Sequence, residues 1–168
     1  MKKLVIYITD VILLIALIFA DQITKYFAVI NLKDQPAYNI IIGVLELNYL
    51  ENKGAAFGML QNQKIFFVFV AILFLAVILF LIIKLPAEKK FTILHILLIM
   101  IAAGAVGNMI DRLRFEYVVD FIYFSLINFP IFNFADICVT VATIVLILLI
   151  IFFYKEDDFK FLSFKPQK

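Results

Sequence analysis

Residues 65–83 are apolar at every position. A helix of about 20 such residues spans the hydrocarbon core of a bilayer. A soluble surface helix would interrupt the run with polar residues on one face. Two further stretches behave alike: 91–110 contains no Asp, Glu, Lys or Arg, and 137–154 is apolar apart from two threonines. The first stretch is weaker. Residues 4–20 are interrupted by Thr9 and Asp10, and the pattern runs on through Asp21 and Lys25 toward Ile30. Four spans are therefore read, near 4–29, 64–84, 91–111 and 136–154. They form a single membrane-embedded domain over residues 1–168, with longer loops at 30–63 and 112–135.

Composition agrees. The hydrophobic fraction is 65% and the mean hydropathy +1.09, more apolar surface than one soluble core of this size can hide. Cys138 is the single cysteine and His95 the single histidine. That excludes an intrachain disulfide and any zinc site built on cysteine or histidine clusters, and no cofactor is expected. A net charge of +2 argues for no nucleic-acid partner. The N-terminus resembles a secretory leader, but Ile18 stands two residues before Ala20 where a small residue is required, so the first span is expected to be retained.

Four spans put both termini on one side. Segments 1–3, 84–90 and 155–168 carry nine Lys/Arg, and segments 31–64 and 111–135 carry five over more than twice the length. The positive-inside rule then places the termini in the cytoplasm and the longer loops outside. In the first of these loops Leu45, Leu47 and Tyr49 alternate with Glu46 and Asn48, which is strand periodicity. The turn-rich run NKGAAFG (52–58) follows. The second holds EYVVDFI (116–122), a short β-like run. The fold class expected is an all-α integral membrane protein, a four-transmembrane-helix bundle with a small extracytoplasmic β element. The charged tail after Tyr154 is expected to fray.

Ionisable groups in or beside a span are costly and mark candidate function. Asp10, near the cytoplasmic surface, reads as a snorkelling or protonated interfacial residue. Asp21 and Lys25 are one helical turn apart and can neutralise each other. Gly104, Gly107, Asn108 and Asp111 share one face of the third span, where the glycines permit close approach of a helix or a substrate. Asp120 sits among Val118, Val119, Phe121 and Ile122, and Asp136 opens the fourth span. For Asp136 alone, capping of a helix N-terminus suffices as an explanation. No Ser–His–Asp or Cys–His arrangement fits, because His95 lies at the opposite end of its span from Ser125 and Cys138. Several aspartates gathered at one membrane face remain, and two carboxylates sharing a proton can divide acid and base roles. The residues themselves leave two rivals open: a small ion- or proton-conducting protein, and a structural four-span partner of a larger complex.

The motifs resemble, in order, those of bacterial lipoprotein signal peptidase (signal peptidase II): DQITK (21–25), NKGAAFG (52–58), AGAVGNMIDR (103–112), VVDF (118–121) and FNFAD (132–136). The resemblance implies an aspartic endopeptidase of the bacterial cytoplasmic membrane, with its active site at the outer face. It would cut the signal peptide from prolipoproteins just before a diacylglyceryl-modified cysteine. It implies Asp120 and Asp136 as the catalytic dyad. Asn52, Gly54, Asn108, Arg112 and Asn133 become substrate-contacting residues, Asn52 and Gly54 lying in a loop that closes over the substrate and Arg112 orienting a substrate carbonyl or holding Asp111. Asp21, Lys25, Gly104, Asp111 and Ala135 become supporting residues. The partners implied are diacylglyceryl-prolipoproteins, membrane lipids and globomycin-type inhibitors. Four spans can serve as a monomer. The departures are Ala103 in place of a paired glycine and Phe134 in place of a branched aliphatic.

Overall fold

The computed structural model describes residues 2–54 and 59–162. Four helices, α1 (Lys2–Leu32), α2 (Lys64–Lys84), α3 (Thr92–Phe115) and α4 (Phe134–Phe152), alternate with three strands, β1 (Tyr38–Ile41), β2 (Leu45–Asn52) and β3 (Val118–Tyr123). All four helices are long and apolar enough to cross a membrane. Helix α1 continues past residue 29 to Leu32 and α3 past residue 111 to Phe115. A helix need not stop where lipid does, because its hydrogen bonds are internal on both sides of the boundary.

Helix α3 is the central post. Half of its span is buried, against 11–17% for the other three, and α1, α2 and α4 each pack on it. Its small residues make this possible. A Cβ at Gly104 would lie 2.5 Å from the Ala135 carbonyl oxygen and 2.6 Å from Val139 Cγ2, so α4 reaches the α3 backbone only because the side chain is absent. The glycine face of α3 thus serves helix packing.

The strands form one antiparallel sheet in the order β1–β2–β3. The β1–β2 hairpin turns at Gly43, whose φ of +73° suits a residue without a Cβ. Strand β3 comes from the second loop and pairs with β2 through a register irregularity between Leu47 and Leu50, which leaves Leu50 opposite Asp120. Such a bulge re-aims the side chains that follow it.

The other end of the bundle holds the apolar core: Ile78, Ile82, Leu94, Leu98, Ile99 and their neighbours, closed by Phe91 stacked on Tyr154 at 5.9 Å. Here two expectations are corrected. The segment after Tyr154 does not fray within the described residues. Glu156–Leu162 forms a 3₁₀ helix whose Phe159 and Phe161 join the aromatic cluster, and Asp158 pairs with Lys90 at 2.5 Å. Nor does Asp10 snorkel. It is buried, and its Oδ2 lies 2.8 Å from His95 Nδ1, because a neighbouring helix offers a polar partner closer than water.

Candidate active site

The sheet end of the bundle gathers the polar candidates of α1, α3, β3 and α4 other than Asp10, in two connected tiers. The deeper tier centres on Lys25, whose Nζ lies 2.9 Å from Asp21 Oδ2, 2.9 Å from Asp111 Oδ2 and 2.9 Å from Asn108 Oδ1. Three N–H groups meet three acceptors, so this buried ammonium has no unmet donor. Full pairing is what makes a buried charge tolerable. The carboxylates are equally engaged. Asp21 Oδ1 accepts from the Ala135 backbone N–H at 3.0 Å, and Asp111 Oδ2 accepts from the Val119 N–H at 3.1 Å. One cation thereby ties α1 to the first turn of α4 and to the head of β3. Gln22 completes the tier, donating to Asp111 Oδ1 at 2.9 Å and to Asp21 Oδ2 at 3.1 Å.

Asp120 and Asp136 occupy the upper tier. Asp120, 1% exposed, accepts from Asn52 Nδ2 at 2.8 Å on Oδ2 and from Asn133 Nδ2 at 2.6 Å on Oδ1. Asp136 accepts from Asn108 Nδ2 at 2.8 Å on Oδ1, while its Oδ2 accepts from the Asn133 backbone N–H at 3.1 Å. The Asn133 side chain in return accepts from the Asp136 N–H at 3.1 Å, a complete capping box at the start of α4. The helix-cap explanation of Asp136 therefore holds, and it uses one carboxylate oxygen only. Asn133 is fully buried and joins the tiers laterally: its amide also donates to Asn108 Oδ1 at 3.1 Å.

Burial, and next the charge of Asp136, push the Asp120 carboxyl up to about 7, against the downward pull of the Asn52 and Asn133 amides. A carboxylic acid is thus kept near its midpoint at neutral pH, a condition suited to proton transfer.

Arg112 lies alongside and does not hold Asp111; Lys25 does. Arg112 donates to the Gly54 carbonyl at 3.1 Å, and its guanidinium sits 4.6 Å from the centroid of the Phe67 ring. Gly54 is in turn fixed by its N–H donating to Asn52 Oδ1 at 2.9 Å. A Cβ on Gly54 would lie 2.5 Å from the Met59 carbonyl oxygen. Residues 55–58 of the NKGAAFG run lie outside the described residues.

Asn52, Gly54, Asn108, Arg112, Asp120 and Asp136 line a cavity of about 1170 Å³, with Glu51, Lys53 and Gln61 at its polar side and Phe124, Ile127, Phe129, Phe132 and Val141 at its apolar side. A second cavity of about 600 Å³ shares Phe67, Asn108, Arg112, Asp136 and Thr140 with it and runs along α3 between α2 and α4, past Val70, Phe74, Gly104 and Thr143. The result is an apolar cleft leading along the bundle to a polar head. Asp21, Lys25, Asp111 and Ala135 line neither cavity and stand behind the wall; so does Asn133, which the resemblance casts as substrate-contacting and which instead touches Asp120 and Asp136.

Three features are not evident from the sequence pattern, two at this site and one at the other end of the bundle. Gln22 lies inside DQITK, and its signal is an amide between the charged Asp21 and Lys25 of a largely apolar helix. Phe67, under Arg112, has no signal, being one phenylalanine among 20. The Asp10–His95 pair needs the α1–α3 pairing to be seen.

Four helices long and apolar enough to cross a membrane, capped by a small sheet, thus hold clustered aspartates that open on a cleft. Similarity to known proteins places this arrangement among the membrane aspartic peptidases. A family model described as signal peptidase (SPase) II matches residues 13–152, and the chain belongs to that family. It is 42% identical over 135 residues to a lipoprotein signal peptidase of Streptococcus thermophilus, covering 80% of this chain and 87% of the relative. It is 37% identical over 154 residues to one of Clostridium tetani, covering 90% and 96%. Among solved structures, a bacterial membrane enzyme determined by the in meso method at 2.3 Å is similar with a TM-score of 0.75 and 28% identity, over 95% of this chain and 94% of that one. A second, at 1.9 Å, gives 0.74 and 29%, over 87% and 94%. The expected enzyme class, family and fold class stand on these similarities.

Proposed function

We propose that this enzyme removes signal peptides from prolipoproteins by cleaving just before the diacylglyceryl-modified cysteine, with Asp120 and Asp136 as the catalytic dyad. One observation carries the reading: the two aspartates are bridged by Asn133 and face a polar pocket at the head of an apolar cleft. A signal helix is apolar and about as wide as the helices that flank that cleft, and its scissile end must reach water. The cleft between α2 and α4 meets both needs, with the acyl chains remaining against lipid and the apolar spans.

The dyad works as a coupled pair holding one proton. The ionised carboxylate takes a proton from water as its oxygen bonds to the scissile carbonyl carbon. The protonated one donates toward the carbonyl oxygen. Collapse breaks the C–N bond, and the proton passes to the departing amine of the lipid-modified cysteine. Asn52, Asn108 and Asn133 donate to the carboxylates and hold their planes fixed. Arg112, anchored on Gly54 and Phe67, orients a substrate carbonyl. Asp21, Lys25, Gly104, Asp111 and Ala135 support this arrangement from behind.

The charge asymmetry of the loops supports a cytoplasmic (inner) membrane orientation with both termini in the cytoplasm and the sheet outside, so cleavage takes place at the outer face. The protein acts as a monomer amid membrane lipids. A globomycin-type inhibitor, cyclic and part acyl chain, fits the same mixed cavity. The test is cleavage of a prolipoprotein peptide by purified protein, with and without diacylglycerol on its cysteine, beside Asp120→Asn. Lipid-dependent cleavage by wild type, lost in the variant, is expected. Equal cleavage of both peptides would overturn the substrate assignment, and normal turnover in the variant would overturn the dyad.

A further inference from the structure

The dyad is fed by three side-chain amides, and an amide can point either its NH₂ or its oxygen at a carboxylate. Which end faces which partner is decided by the rest of its contacts. For Asn52 the oxygen is claimed by the Gly54 N–H, two residues on. For Asn133 it is claimed by the Asp136 N–H, three residues on. Both are set locally by the backbone that carries them. Asn108 is different. Among the described residues no backbone N–H reaches its oxygen, which accepts instead from Lys25 Nζ at 2.9 Å and from the Asn133 amide at 3.1 Å. Its nitrogen is then left to donate to Asp136 Oδ1 at 2.8 Å.

We propose that Lys25 is a positioning residue for the reaction: its ammonium fixes the Asn108 amide so that an N–H, and never the oxygen, meets Asp136. An ammonium has donors and no acceptor. A flipped Asn108 would set its NH₂ against the ammonium and against the Asn133 NH₂, and its oxygen against the Asp136 carboxylate. Three repulsive contacts would replace three hydrogen bonds, each made inside protein where an unmet donor is most expensive. Lys25 is itself fixed by Asp21 and Asp111, both 2.9 Å away, so its third N–H has one direction left. The consequence concerns α1 as a whole. That helix contributes no residue to either cavity, yet through Lys25 it decides what one of the two carboxylates sees. Without the cation the amide is held by the Asn133 contact alone, and Asp136 loses its fixed donor for part of the time.

The inference rests on the Asp120/Asp136 reading, so Asp120→Asn is measured alongside. Removing Lys25 alone would strand two buried carboxylates, so Asp111→Asn, which deletes one of them, is the background. In that background, addition of Lys25→Met is expected to lower kcat for the lipidated peptide at least tenfold with KM within about threefold. With Asn108→Ala also present, the same addition should lower kcat by less than threefold, since the group through which Lys25 acts is gone. Equal losses with and without Asn108 would mean a purely structural lysine and overturn the proposal, as would an unchanged kcat. Should the Met variant not fold, Lys25→Arg decides. It keeps the cation and its donors, so kcat within tenfold of wild type is expected, and a loss as large as that of Asn108→Ala overturns the proposal. If Asp120→Asn retains turnover, the dyad reading fails first. If it is inactive while the Lys25 and Asn108 effects simply multiply, only the positioning role falls.

Discussion

Two polar layers lie between α1 and α3, one at each end of the bundle, and they are built to different specifications. Asp10–His95 and Gln22–Gly107 are both pairs 85 residues apart, so the two helices run parallel in constant register. Twelve residues of helix put the layers about 18 Å apart. In the layer near the termini, His95 and Asp10 share one hydrogen bond, His95 Nε2 has no partner among the described residues, and the neighbouring Leu94, Leu98 and Ile99 of α3 are buried apolar residues. At the sheet end, Lys25, Asp21, Asp111, Gln22, Asn108 and Asn133 satisfy one another, and the network ends on two carboxylates that face a cavity. A buried carboxylate beside a basic side chain is common to both. What separates them is whether the polar network continues to a surface where a substrate can arrive.

If that distinction is right, the layers respond oppositely to substitution. The largest effect is expected at the sheet end: Asp120→Asn and Asp136→Asn each lower turnover of a lipidated peptide by more than about 10³-fold, while circular dichroism reports a folded protein. A loss of only about 10² would demote the residue to an assisting acid or base.

Next comes pH. With the Asp120 carboxyl near 7, turnover falls about tenfold per pH unit above that value, as the proton the pair must share is lost. Stability follows the same sign. The folded state binds this proton more tightly than the unfolded chain, whose value is near 3.8. The contribution is therefore complete below about 4 and lost as pH rises through about 7. Thermal unfolding followed from pH 5 to 8 should show a falling Tm, with a shallower slope in Asp120→Asn. A rising Tm would contradict the assigned direction.

Smaller still is the effect at the other layer. Asp10→Leu leaves His95 buried without a partner and should cost about 1–3 kcal/mol of stability, whereas Asp10→Leu with His95→Leu should recover most of it. Neither should change kcat in protein that remains folded. A selective loss of kcat in Asp10→Leu would erase the contrast between the layers. The smallest effect is expected at the exposed Lys33–Glu51 pair, 2.8 Å apart on the sheet side. Lys33→Ala should leave both Tm and kcat unchanged within error, because solvent screens such pairs.

The sheet-end residues were legible because polar residues have few reasons to interrupt apolar sequence. Asp120 among valines and Asp111 at the end of a span each stand out in one dimension. The capping reading of Asp136 was legible too, and it coexists with the contact of its other oxygen to Asn108 at the cavity wall. The pairing of Asp10 is not legible locally, because its partner lies 85 residues away and nothing nearby in sequence distinguishes a snorkelling acid from a paired one. Of the two roles the resemblance implies for Arg112, holding Asp111 is not the one the structure shows. On a helix, neighbours at i and i+1 point in different directions, and Lys25 from another helix takes the place.

Four apolar stretches and their flanking charges were sufficient to define the membrane class. Lipid supplies no hydrogen bonds, so a spanning segment must satisfy its backbone internally, and a run of apolar residues has little choice but helix. Which polar side chains meet is another matter. A helix such as α2, apolar around its whole circumference, carries no stripe to say which way it faces. Pairing across helices depends on rotation and axial register, and these are fixed only by packing: Gly104 under the Ala135 carbonyl, the irregularity in β2 opposite Asp120, and one lysine with three acceptors around it.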